Sequence, residues 1–147
     1  MMKYLRLIFI SIFPLLIYTQ SYVSIEVTPF NLIDLIGGHE INEKDLPTGD
    51  YLIHFWATWC AQCLKQEDTM TLLSHQYPIV GVLVRDMIED GDDWITTQLH
   101  PYTFLLNDDK GFFSKKMNVS YLPTTLKVSK GKVIQYIVGD ITDVENF

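Results

Sequence analysis

Cys60 and Cys63 stand three apart in the segment Trp59-Cys-Ala-Gln-Cys63, and the chain has no other cysteine. A thiolate attacks a disulfide and a thiol does not, so such a pair needs one ionised sulfur and a partner within reach. The flanking residues supply both. Tyr51 to Trp56 is an apolar run, the pattern of a strand buried on both faces. Cys60 to His75 carries helix-compatible residues, with Leu64, Met70, Leu72 and Leu73 available for an apolar side. Cys60 therefore falls at a helix entrance, where unpaired N–H groups and the positive end of the helix dipole stabilise a thiolate. Two intervening residues let the second sulfur reach the first without unwinding the helix. This makes Cys60 the attacking nucleophile and Cys63 the resolving thiol that breaks a mixed disulfide. Two other readings stand beside it. One is a zinc half-site completed from His39, His54, His75 and His100, which are scattered along the chain; the other is an inert buried pair.

Composition narrows the setting. A chain of 147 residues is one domain's worth and buries a real core. Its 48% apolar and 20% charged residues exclude wholesale disorder. Eleven Lys plus Arg against eighteen Asp plus Glu leave a net charge of −7, which argues against a nucleic-acid partner. Two cysteines build neither a disulfide framework nor a four-thiolate zinc site.

The elements that must position the pair follow along the chain. Thr28 to Leu35 reads as a strand closed by Gly37-Gly38, with His39 to Ile41 as a hairpin return. Asn42 to Leu46 reads as one helical turn. Ile79 to Val84 is a second buried strand, rich in β-branched residues. Glu89 to Asp93 reads as an acidic loop without the spacing of a calcium loop, and Asp92 or Asp93 as the cap of a helix through Leu99. Phe104 to Leu106 is short and apolar, and Gly111 to Met117 suits a helix. Thr124 to Val128 and Val133 to Val138 flank a Gly-bearing turn and read as a hairpin. Strands alternating with helices imply an α/β fold, a central sheet with helices on its faces.

Residues 1–27 read as a signal peptide or membrane anchor ahead of a domain over 28–147. Lys3 and Arg6 form a positive head, Leu7 to Tyr18 is an apolar run, and Thr19, Gln20 and Ser21 turn polar. The run is shorter than the roughly 20 residues that span a bilayer, and whether it is cleaved stays open. Lys and Arg at the inner end place the domain outside the cytoplasm, where disulfides persist.

The segment Phe55-Trp-Ala-Thr-Trp-Cys-Ala-Gln-Cys63 resembles the active-site signature of thioredoxin-fold proteins, and most closely the exported TlpA-like branch. Phe30-Asn-Leu-Ile-Asp34 with Gly37-Gly38 is similar to that branch's N-terminal β-hairpin extension. Val119-Ser-Tyr-Leu-Pro-Thr-Thr125 resembles the family's cis-proline segment. Tyr77-Pro-Ile-Val80 and Val82-Leu-Val-Arg85 resemble the copper-sensitivity-suppressor (ScsD-like) subgroup. The resemblance implies a thioredoxin-like fold, a central mixed sheet flanked by helices, with a short C-terminal end. It implies a cis bond before Pro123, which would set the Leu122 backbone beside Cys60, ready to pair with an extended substrate strand. Trp59, Ala61, Tyr121 and Leu122 would then form an apolar contact surface around Cys60, Gln62 and Pro123 would join them in the substrate site, and Ala61-Gln62 would tune the reduction potential.

Three departures from the family pattern stand out. His54 occupies the strand position of a buried Asp or Asn beneath the inner sulfur. A neutral imidazole there would relay the Cys63 proton, a protonated one would lower thiol pKa, and a plain core histidine would satisfy itself on a backbone carbonyl. Gln66 and Asp68 stand where the branch carries Glu and Pro, and Glu67 points about 100° away from the required direction, toward a solvated helix face with Lys65. Only Asp140 to Phe147 follow Gly139, leaving Ile141, Val144 and Phe147 as a short helical stripe over an incompletely covered sheet. The expected function is exchange of disulfides with protein thiols or disulfides, served by a membrane redox partner in a periplasmic setting. No cofactor is required, because the electrons sit in the cysteine pair. The alternative is a copper-tolerance protein holding Cu(I) between the same thiolates.

Overall fold

The computed structural model describes residues 25–142 and 144. Its strands are β1 (Ile25–Glu26), β2 (Asn31–Asp34), β3 (His39–Asn42), β4 (Asp50–Trp56), β5 (Ile79–Val84), β6 (Phe104–Asp108), β7 (Thr124–Ser129) and β8 (Lys132–Val138). Its helices are α1 (Ala61–Leu64), α2 (Glu67–Ser74), α3 (Ile88–Thr97) and α4 (Phe112–Lys116). The strands form one sheet in the order β1-β8-β7-β4-β5-β6-β2-β3. β4 lies between β5, which it pairs in parallel, and β7, which it pairs antiparallel. With neighbours on both edges and cover on both faces, β4 and β5 tolerate apolar residues at every position, which explains the unbroken apolar runs. The β2–β3 hairpin extends the sheet by pairing antiparallel with β6. The chain thus has the thioredoxin-like α/β fold that the resemblance implies.

Side chains alternate across β4 and divide the core in two. Tyr51, Ile53 and Phe55 join Val80, Val82, Leu126, Phe113 and Met117 in one cluster beneath α4. Leu52 and Trp56 join Cys63, Met70, Leu73, Leu83 and Tyr102 in the other, beneath α2 and α3. The active-site loop leaves β4 between these layers.

Several boundaries differ from expectation. The helix expected over 60–75 is divided: Gln66 N–H bonds to the Cys63 carbonyl, three residues back, and the chain tightens there before α2 starts. α3 begins at Ile88, so the expected acidic loop is its first turns; Glu89 and Asp90 suit the positive end of a helix. Gly91, within that stretch, lies inside α3, and the close packing explains the glycine: a Cβ there would come 2.7 Å from Leu35 Cδ1 and Leu83 Cδ1. Asn42 to Leu46 holds a single hydrogen-bonded turn, the Asp45 N–H bonding to the Asn42 carbonyl at 3.1 Å, and not a helix. Asn42 closes β3, its amide accepts the Lys44 N–H, and Asp45 accepts the Asn42 N–H. Ile25 and Glu26, within the stretch assigned to the leader, form β1 against β8. Residues 1–24 lie outside the described residues, and among the described residues no helix is long and apolar enough to cross a membrane. Residues 139–142 are not helical, yet Ile141 and Val144 pack against the Cys63-side cluster; Phe147 lies outside the described residues.

Candidate active site

The loop leaving β4 is held before the cysteines begin. The buried Asp86 carboxylate accepts the Thr58 N–H, the Thr58 hydroxyl at 3.0 Å and the Met87 N–H at 3.0 Å. These bonds tie the loop to the start of α3. The Trp59 indole N–H donates to the Arg85 carbonyl at 3.2 Å, and the Arg85 N–H donates to the Asp108 carbonyl at 3.0 Å. Sequence reasoning did not single out Arg85 or Asp86 as site residues. A signal was present: a polar pair directly after a buried parallel strand, at the carboxyl edge where α/β sheets place their ligand sites.

Cys60 is the N-cap of α1, with extended backbone at φ −93° and ψ 99°. Its carbonyl accepts the Leu64 N–H at 3.1 Å, and its Sγ accepts the Cys63 N–H at 3.2 Å. Cys60 and Cys63 form a disulfide across a Cα–Cα distance of 5.2 Å. Cys60 is half-buried, whereas Cys63 is 2% exposed and packs among Trp56, Met70 and Leu73. Cys60 is thus the more approachable of the two sulfurs, and the Cys63 N–H points at its Sγ. Among the described residues no group of three or more His, Cys, Asp or Glu side chains is placed to hold a metal ion.

A cavity of about 570 Å³ opens beside Cys60, lined by Trp59, Cys60, Val84, Arg85, Ser114, Lys115 and residues 119–122. Trp59 and Tyr121 are 62% and 72% exposed at its mouth, too open for core packing to explain them. The Leu122–Pro123 peptide is cis. Leu122 faces the cavity, and Pro123 is buried behind it, its carbonyl accepting the Gly139 N–H at 2.8 Å. The structure thus brings Trp59, Cys60, Tyr121 and Leu122 to one groove. Ala61 and Gln62 are exposed on α1 and do not line it.

His54 is 1% exposed and points to the Cys63 side of the sheet. Its Nδ1 shares a 2.9 Å hydrogen bond with the Thr125 hydroxyl on neighbouring β7, not with a backbone carbonyl. Burial lowers its pKa to about 3, so the ring is neutral at neutral pH and brings no positive charge to the sulfurs. Gln66 is buried, donating through Nε2 to the Gly139 carbonyl and the Asp140 carboxylate, each at 3.0 Å. Glu67 is not on a solvated face. It accepts the Trp94 indole N–H at 3.1 Å, because the break before α2 turns it toward α3.

Known proteins carry both this fold and related sequences. The sequence matches no protein-family model. It is 31% identical over 113 residues to a thioredoxin-like protein of Haemophilus influenzae, covering 74% of this chain and 65% of that protein. It is 28% identical over 118 residues to the thiol:disulfide interchange protein DsbE of Vibrio cholerae, covering 78% and 64%. Against DsbE of Xylella fastidiosa the chain spans only 50% of the relative's length. Among solved structures, StoA from Bacillus subtilis superposes with a TM-score of 0.65 at 20% identity, covering 82% of this chain and 93% of that one. The thio-disulfide isomerase from Thermus thermophilus gives 0.67 at 19% identity, covering 80% and 87%.

Proposed function

We propose that this chain is an exported thiol–disulfide oxidoreductase that exchanges disulfides with protein substrates through Cys60 and Cys63. The observation that carries the reading is the asymmetry of the pair: an approachable sulfur at a helix cap and groove edge, with its partner buried directly behind. In the reducing direction the Cys60 thiolate attacks a substrate disulfide. A Cys60–substrate S–S bond forms, the substrate S–S bond breaks, and the departing substrate thiolate takes a proton. The Cys63 thiolate then attacks the Cys60 sulfur, the internal disulfide closes, and the second substrate thiolate leaves. Two electrons have passed to the substrate; the oxidising direction is the reverse. Trp59, Tyr121 and Leu122 form the contact surface, with the Leu122 backbone open to an added strand and Pro123 supporting it. Ala61, Gln62 and neutral His54 tune the potential. The basic head at Lys3 and Arg6 and the apolar run behind it support export to the periplasm, where a membrane redox partner would recharge the pair.

The test is insulin reduction and oxidative refolding by the full chain. Cys60→Ser is expected to abolish both, and Cys63→Ser to accumulate mixed disulfides; wild-type activity in Cys60→Ser would refute the mechanism. The reduction potential against glutathione sets the direction, about −270 mV for a reductant and about −120 mV for an oxidant. The Cu(I) reading rests on the two adjacent thiolates of the reduced pair, a soft donor set. Titration of the reduced chain against a Cu(I) chelator separates it, and micromolar or weaker affinity removes it.

A further inference from the structure

The groove beside Cys60 carries a charge opposite to that of the chain. The protein has a net charge of −7, yet the two charged side chains lining this groove, Arg85 and Lys115, are both cations. They arrive from different elements: Arg85 directly follows β5, and Lys115 lies in the last turn of α4. Among the described residues neither is paired with a carboxylate. Arg85 is also held in place. Its backbone takes a left-handed φ of 53°, its N–H and carbonyl are both bonded, and its Nε lies 2.9 Å from where a Cβ on Gly111 would sit. The side chain therefore occupies room that only a glycine at 111 leaves open. Across the Trp59 indole the sign reverses. A second cavity of about 610 Å³ there is lined by Thr58, Trp59, Asp90, Asp93, Trp94 and Thr97.

The packing of the Arg85 stem over Gly111 leaves its charge, and that of Lys115, on the rim of the groove beside Cys60 without a carboxylate partner among the described residues. Resting on the oxidoreductase reading above, we propose that the groove selects substrate segments that carry an acidic side chain beside the reacting cysteine. Arg85 and Lys115 receive the carboxylate, while Trp59, Val84 and Leu122 offer apolar contact to the residues around it. The carboxylate-lined surface beyond Trp59 makes the preference directional, because an acidic residue placed there is repelled. Charges this exposed act mainly on the encounter rate and are screened by salt, which makes ionic strength a diagnostic.

The experiment uses the fully reduced chain and two cyclic peptide disulfides of equal length, one with Glu and one with Lys flanking the cysteines. Each exchange rate is divided by the same peptide's rate with dithiothreitol, which removes intrinsic differences in sulfur reactivity. The expected result is about a tenfold preference for the Glu peptide in about 20 mM salt, narrowing to about twofold near 500 mM. Lys115→Glu is expected to collapse the low-salt preference to about twofold or less. The ratio is internal to each variant, so partial loss of folded protein cancels. A wild-type ratio near one, or a ratio that Lys115→Glu leaves unchanged, overturns the inference while exchange itself proceeds. Absence of exchange in both directions, the reduced chain with the peptide disulfides and the oxidised chain with the corresponding peptide dithiols, removes the oxidoreductase reading and this inference with it.

Discussion

Ile53 and His54 are neighbours on β4, equally buried, and they face opposite sides of the sheet. On the Ile53 side the buried cluster is Phe55, Val80, Val82, Leu126, Phe113 and other apolar groups, with Phe113 packed on Phe30 and Phe55 at ring distances of 4.5 and 5.7 Å. On the His54 side the aliphatic packing of Leu52, Leu73 and Leu105 is interrupted by polar groups. His54 leans on Thr125, Trp56 Nε1 and Gln66 Oε1 are buried without a hydrogen-bond partner, and Cys63 sits among them. Burying such groups costs stability unless they are bonded. The Ile53 face is packed mainly by apolar groups, with Tyr51 and the buried Thr124 as its polar members, whereas the His54 face sets a sulfur among buried polar groups that lack partners. The comparison predicts that mutations on the two faces separate stability from redox behaviour.

The largest effect belongs to the packing face. Ile53→Ala empties a fully buried site at the sheet centre and is expected to cost about 2–5 kcal/mol. Because its neighbours are apolar and the disulfide lies across the sheet, the oxidised and reduced chains should lose the same amount. Equal losses leave the reduction potential unchanged, since a difference of about 1.4 kcal/mol between the two forms equals about 30 mV. Denaturant unfolding of both forms, with potential measured against glutathione, checks this. A shift beyond about 30 mV would show that the two faces are coupled.

The next effect belongs to His54 and depends on pH. Above pH 6.5 the imidazole is neutral whether the chain is folded or not, and it contributes no pH dependence. Below pH 6.5 the unfolded chain binds a proton that the folded chain refuses down to about pH 3. Stability therefore falls as pH falls, by about 1.4 kcal/mol per unit, or about 3 kcal/mol by pH 4.5. His54→Asn retains an amide to face Thr125 and should remove this component from the stability profile between pH 6.5 and 4.5. Profiles of equal slope would mean that His54 is already charged in the folded chain. The same variant sharpens the redox side. With no imidazolium present at neutral pH, a shifted potential in His54→Asn would act through the neutral ring.

What could be read from residues alone follows the same division. β4, β5 and the β7–β8 hairpin were legible because burial on both faces, or a Gly-bearing turn between β-rich runs, leaves a local pattern. Cys60 and Cys63 were legible because their spacing is itself the chemistry. The features that hold them were not. Asp86 and Thr58 meet across 28 positions of sequence, and nothing local to either reports the other. Gly91 carries the same letter as a turn glycine, although its reason is the closeness of α3 to Leu35 and Leu83. Gln66 breaks no helix by propensity. The interruption comes with side-chain bonds to residues 139 and 140, a tertiary effect that local preference does not encode. Arg85 and Lys115 lie far apart in sequence, and only the fold sets them on one groove.

The smallest effect concerns the bridge between α2 and α3. Glu67 accepts the Trp94 indole N–H at 3.1 Å, and its charge adds to the burial that raises the Tyr102 pKa. Trp94 packs edge-on to Trp56 at 4.6 Å, in the layer that holds Cys63. Glu67→Ala removes the acceptor, but Trp94 is only half-buried, so water replaces the carboxylate and the full cost of an orphaned donor is not incurred. The expected loss is about 1 kcal/mol or less, with a change in Trp94 emission and an unchanged exchange rate with insulin. Glu67→Gln keeps an acceptor and should lose less. A loss above about 3 kcal/mol, or a slower exchange reaction, would mean that this bond holds the packing around Trp56 and Cys63, and the polar face would then owe its order to α3 as much as to α2.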